Sequence, residues 1–134
     1  MRPRRLAGWT AVTLALIAAA LLVAFAVKDP ERRTLDAKAR EGVPGAFVTL
    51  PDGVTHYETA GPDSGQVVVM AAGFSVPAYI WDPLFQTLAD SGFRVIRYDY
   101  YGRGWSDRPA VPHDQSLYSR QLDALLDSLH IRQP

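Results

Sequence analysis

The chain has 134 residues, and its 14 Lys and Arg balance 14 Asp and Glu to a formal charge of zero. That length suits one ordinary domain, and the balance offers neither a basic surface for nucleic acid nor an acidic tail for a cationic partner. The lack of cysteine excludes a disulfide framework, a thiolate nucleophile and a Cys-based zinc site.

Arg2, Arg4 and Arg5 precede an uncharged run from Leu6 to Val27, closed by Lys28-Asp29-Pro30. A helix of about twenty apolar residues crosses a hydrocarbon core of ~30 Å. The run therefore predicts a membrane-spanning helix through residues 6–27, within an anchor of residues 1–28. Its apolar residues surround the helix, unlike the one-sided stripe of a soluble helix. The other reading is a secretory signal. Ala11–Val23 would be its apolar core and Ala24-Phe25-Ala26 its small-x-small cleavage site, giving a secreted chain cut after Ala26. The run is longer than export signals need, which favours the uncleaved single-pass anchor. Positive charge lies on both flanks, with Lys28, Arg32, Arg33, Lys38 and Arg40 on the far side, so charge does not set the orientation. The usual signal-anchor arrangement would place the bulk of the chain outside the cytoplasm.

Residues 29–45 carry charges, Pro30, Pro44 and two glycines, and read as a linker with a short helix over Glu31–Arg40. Ala46–Leu50 and Val54–Ala60 then flank the turn-forming Pro51-Asp52-Gly53, a β-hairpin pattern. In the second strand Thr55, Tyr57 and Thr59 share one face, while Val54, His56 and Glu58 share the other. That mixture predicts a partly exposed edge strand. Val67–Met70 is an unbroken apolar run, the mark of a strand covered on both faces in a parallel sheet. Pro77–Ser91 predicts a helix with Ile80, Trp81, Leu84, Phe85 and Leu88 as its stripe, stopped by Gly92. Phe93–Tyr98 is the next strand. Ser116–His130 is the last helix, capped by Ser116, with Leu122, Leu125, Leu126 and Leu129 on one face. Strands alternating with helices at this spacing predict an α/β fold.

Two blocks carry chemistry. Ala71-Ala72-Gly73-Phe74 follows the first apolar strand, and Asp99-x-x-Gly102-x-Gly104-x-Ser106-x-x-Pro109 follows the second. Together they resemble the amino-terminal half of an α/β-hydrolase. The resemblance covers residues 46–134 and implies a partial α/β-hydrolase fold, an N-terminal β-hairpin plus βαβα, preceded by the single transmembrane or signal helix. It also implies that Ala71–Val76 is the oxyanion loop. Gly73 would form the turn, and the Phe74 N–H would be a backbone donor aimed at charge developing on the attacked carbonyl oxygen. The sequence departs from the family at Ala72, where many relatives carry a histidine that supports the loop. Phe74 stands where haloalkane dehalogenases place a halide-binding asparagine, which argues against dehalogenation. Trp81 matches a tryptophan common on the family's first helix, where packing is its expected role. Asp99, Gly102, Gly104, Ser106 and Pro109 form a scaffolding motif that names no substrate. Its glycines permit a tight loop, and Asp99 can accept from the loop's N–H groups.

Full-length relatives hydrolyse ester-like bonds by a Ser-acid-His mechanism, and their nucleophile, acid and base come later in the chain. No catalytic residue of that triad is therefore expected within these residues, and activity of this chain alone should be negligible. A small-molecule ester-like substrate is expected only with the rest of the domain. The Val67–Met70 strand would also lack its neighbour on one side, leaving an exposed edge and marginal stability. The alternative is a non-catalytic, membrane-anchored interaction or structural module built on a hydrolase-like half-domain.

Two serines imitate a nucleophile elbow, Ser75 in Gly73-Phe74-Ser75-Val76-Pro77 and Ser106 in Gly104-Trp105-Ser106-Asp107-Arg108. Both lack the final small residue of Gly-x-Ser-x-Gly. With Ser75 as nucleophile, Asp99 and His113 or His130 would follow in the proper order. His56, His113 and His130 show no metal-ligand spacing, and neither a phosphate-binding loop nor a dinucleotide fingerprint occurs. No cofactor, metal or nucleic-acid partner is expected.

Overall fold

A computed structural model describes residues 3–28, 34–73 and 76–131, with side chains of the first stretch described at Trp9 and from Val12 onward. The chain divides into two units, Met1–Thr34 and Leu35–Pro134.

The first unit holds helix α1 (Pro3–Lys28), with Lys28 in its last turn, where a cation suits the helix dipole. Leu14, Leu16, Ile17, Leu21, Leu22, Val23, Phe25 and Val27 are all exposed. Among the described residues no helix is long and apolar enough to cross a membrane. The predicted span of residues 6–27 includes residues 6–8, 10 and 11, whose side chains lie outside the description.

The second unit is a four-stranded mixed sheet with helices on both faces. Its strands are β1 (Ala46–Leu50), β2 (Gly53–Ala60), β3 (Val67–Ala71) and β4 (Arg94–Tyr98), in the spatial order β1-β2-β4-β3. The predicted hairpin forms, with Leu50 opposite Gly53. β3 and β4 lie side by side and parallel, Val67 opposite Arg94 through Ala71 opposite Tyr98, as the apolar runs required. β2 departs from its expected edge position, because it pairs antiparallel with β4 as well as with β1. Its polar residues misled because they are buried against partners of their own: Thr55 and His56 are both buried. The open edges are β1 and β3, and Val67, Val68 and Val69 stay half-buried.

A 3-10 turn, Ala78–Trp81, leads into α2 (Asp82–Asp90), so the predicted helix begins as a tighter spiral. Pro83 fits the first turn, where its missing N–H costs nothing. Gly92, at φ +90°, ends it in the left-handed conformation that glycine adopts without strain. α3 (Gln115–Ser128) is capped by Asp114, which accepts from Leu117 N at 2.9 Å, rather than by Ser116. Its buried residues are Leu117, Gln121 and Leu125, and Leu122 and Leu129 of the predicted leucine face pack half-buried against the same core. His130 lies beyond the helix with φ +57°, in the cap rather than the last turn.

The alternation of strand residues splits the core in two. Val68, Met70 and Val95 pack with Phe85 and Ala89 beneath α2. Val69, Tyr98, Tyr57 and Leu50 pack with Leu125 and Leu122 of α3. Residues 35–45, expected as linker, belong to this unit. Turns over residues 37–42 replace the predicted short helix, and Glu31–Arg33 lie outside the described residues. Arg40 pairs with Asp107 and donates to Trp105 O at 3.4 Å, drawing the segment onto the loop after β4.

Candidate functional site

The carboxyl ends of the parallel strands β3 and β4 open into two loops, residues 71–78 and 99–109. The first is fastened at both ends. Trp81 Nε1 donates to Ala71 O at 2.9 Å, so this tryptophan holds the strand's last carbonyl in addition to packing. At the other end Ala78 N donates to Asp99 Oδ1 at 2.8 Å. Between them Val76 N bonds to Gly73 O at 3.4 Å. Gly73 is not in the left-handed region, and a side chain there would meet nothing within 4 Å. Phe74 and Ser75 lie outside the described residues, so the expected backbone donor at Phe74 has no described geometry. Ala72, where a supporting histidine was expected of the family, is buried.

Asp99 organises the second loop. It is buried with 2% of its surface exposed, and a bare carboxylate there would be costly. Three groups compensate the carboxylate, and the Asp99 backbone N–H is bonded as well. Oδ2 faces His56 Nδ1 at 2.9 Å and accepts from Trp105 N at 3.1 Å. Oδ1 takes the Ala78 amide, and Asp99 N donates to His56 O at 3.1 Å. Burial pushes the Asp99 carboxyl up, but the bonds from His56, Ala78 and Trp105 outweigh it and hold the group below its usual range. Gly104 has φ +45°, and a Cβ on it would overlap this carboxylate. The motif's second glycine is thus required twice, by backbone conformation and by space.

Ser106 is fully buried. Its hydroxyl donates to Asp99 O at 2.7 Å and accepts from His56 N at 3.0 Å, so it staples β2 to the loop and has no access to a substrate. Gly102, φ +79°, packs closely on the His113 ring. Pro109 O accepts from His113 Nε2 at 3.2 Å. Gln121 of α3 completes the hub, donating to Thr55 Oγ1 at 2.9 Å and Asp99 O at 3.0 Å while accepting from Tyr101 N at 3.0 Å.

Asp99 is committed to His56, so it does not orient His113 or His130. His56 Nε2 faces Pro44 O at 2.8 Å and no serine. His56 and Gln121 carry most of what the sequence did not reveal: a lone histidine on a strand and a glutamine on a helix have no local signature. Among the described residues no group of three His, Asp or Glu side chains is placed to hold a metal ion.

A second charged cluster lies on the α2 face. Arg97 of β4 forms a two-point pair with Glu58, opposite it on β2. It also reaches Asp82 at the start of α2 and lies over the Phe85 ring at 4.3 Å. It clamps helix to sheet beneath the first loop.

No protein-family model matches the chain. It is 36% identical over 86 residues to a non-heme chloroperoxidase of Streptomyces lividans, covering 63% of this chain and 31% of that protein. It is 32% identical over 89 residues to the AB hydrolase superfamily protein YfhM of Bacillus subtilis, covering 66% and 29%. Among solved structures, an esterase from Exiguobacterium antarcticum superposes with a TM-score of 0.60 at 30% identity, covering 65% of this chain and 32% of that one. The chain thus spans under a third of the length of the two sequence relatives. A mixed sheet with a glycine-bearing loop off β3, an Asp-centred loop off β4 and these relatives lead to one conclusion: the chain belongs to the α/β-hydrolase superfamily.

Proposed function

We propose that residues 46–134 form the oxyanion-loop half of a hydrolase of ester-like bonds that works by Ser-acid-His chemistry, with nucleophile, acid and base outside residues 1–134. The observation that carries this reading is the fastening of the 71–78 loop at the carboxyl end of β3, by Trp81 at Ala71 and by Asp99 at Ala78. A backbone donor helps a transition state only when it is held in place before charge develops. A side chain at Gly73 would meet nothing within 4 Å. Ser106 does not supply the attack in this reading, since it is buried and doubly bonded.

The test reads a fluorophosphonate label by mass spectrometry. The 134-residue chain should take up no label at Ser75 or Ser106 and should hydrolyse p-nitrophenyl butyrate no faster than buffer. A reading frame continuing past codon 134 should encode a strand and Gly-x-Ser-x-Gly within about twenty residues, and its product should label at that serine. Label on Ser75 or Ser106 overturns the reading. A stop codon after codon 134 with stable expression favours the second reading, a non-catalytic module.

In the same proposal residues 6–27 hold the chain at a membrane, with its bulk outside the cytoplasm. Support comes from the uncharged run and from apolar side chains facing outward all around α1. A chain that stays in the membrane pellet after alkaline carbonate fits this. A soluble product beginning at Val27 fits the cleaved signal instead.

A further inference from the structure

The geometry points to His56 as a positioning residue, a buried imidazolium that fixes the far end of the 71–78 loop through Asp99 and releases it on losing its proton. The role in catalysis rests on the oxyanion-loop reading above; the coupling itself does not.

Both ring nitrogens of His56 face oxygen acceptors, Asp99 Oδ2 at 2.9 Å and Pro44 O at 2.8 Å. Neither the Pro44 carbonyl nor the ionised Asp99 carboxylate can donate. A neutral imidazole has one N–H, so either tautomer would set a nitrogen lone pair against an oxygen. Only the doubly protonated ring satisfies both contacts. The ring is held closely, since a Cβ on Gly45 would lie 2.8 Å from Nε2, and the Phe47 ring of β1 is 5.0 Å away.

The charges around the ring are few. Asp99 faces it from the loop after β4. Glu58 lies on its own strand and is paired with Arg97 of β4. Arg40, over Phe47 at 5.3 Å, is one step further out and paired with Asp107. β1 contributes Phe47, and the segment before it contributes the Pro44 carbonyl. Burial pushes His56 down, but the bonds to Asp99 and Pro44 and the charges of Asp99 and Glu58 outweigh it, leaving the group above its ordinary 6.5. The sign follows. The stabilisation is complete below the unfolded value near 6.5 and is lost as pH rises through the higher folded value.

Loss of that proton reaches the loop through one carboxylate. Asp99 would then be a buried carboxylate without a counter-charge, and that cost is relieved when water reaches Oδ1 in place of the Ala78 amide. Ser106 still bridges His56 N to Asp99 O, so β2 and the second loop stay joined. The change falls on the Ala78 contact.

The test uses the full chain. Long-range nitrogen–proton spectra should show two protonated ring nitrogens on His56 at pH 6, with a midpoint above 6.5. The Ala78 amide should shift with the same midpoint. Thermal melts at about pH 5.5 and about pH 8.5 should show the wild type losing more of its Tm at the higher pH than His56→Gln. A neutral ring at pH 6, an Ala78 amide that ignores His56, equal losses of Tm, or the absence of dispersed His56 and Ala78 signals at pH 6 each overturns the inference. Should His56→Gln fail to fold, the wild-type ring and amide signals decide alone. Hydrolysis enters neither readout, so an inactive protein would remove the loop's catalytic meaning and leave the coupling intact.

Discussion

The two faces of the sheet solve burial by different chemistry. Beneath α2, polar groups are charged and paired: Arg97 with Glu58 and Asp82, His56 with Asp99. Beneath α3, they are neutral: Gln121 bonds Thr55, Tyr101 N and Asp99 O, and the Tyr98 hydroxyl is buried with no partner among the described residues. Charged pairs in a poorly solvated place depend on protonation, and breaking one strands the other. Neutral bonds contribute about 1 kcal/mol each and ignore pH. The pH-sensitive half is thus the half that fastens the 71–78 loop, while the α3 half provides a fixed floor.

The largest expected effect lies on the charged face. Gly104→Ala forces a side chain into the Asp99 carboxylate at a left-handed φ, and should cost about 3 kcal/mol or more. Urea unfolding followed by circular dichroism measures it, and near-neutral behaviour would mean that the carboxylate is not held as described. Gln121→Leu tests the neutral face. It strands Tyr101 N and Thr55 and should cost about 2 kcal/mol, by the same amount at acid and alkaline pH. A cost that varied with pH would erase the contrast between the faces. Tyr98→Phe is smallest and opposite in sign, because deleting a buried hydroxyl without a partner should stabilise by up to about 1 kcal/mol. A loss in a thermal melt would show that the hydroxyl is bonded after all.

Much of the fold could be read because its signals are local. The apolar run at Val67–Met70 and the stripe of α2 are periodic, and the Asp99 loop announces itself by closely spaced glycines. What could not be read depends on distant partners. His56 finds Asp99 across 43 positions, and Arg40 finds Asp107 across 67. Nothing near either residue shows that its charge is neutralised, so β2 looked like an edge and residues 35–45 like a linker. The cap of α3 went to Asp114 because its carboxylate reaches the third amide of the helix, which Ser116, already inside the helix, cannot. The site was half legible: its glycines and Asp99 were visible, while the histidine and glutamine that make Asp99 tolerable were not.

The indole of Trp81 and the carboxylate of Asp99 moor residues 72–77 like a rope tied at two bollards. Each knot lies where a strand ends, Ala71 in β3 and Asp99 just past β4, so a change at either would be felt by loop and strand together.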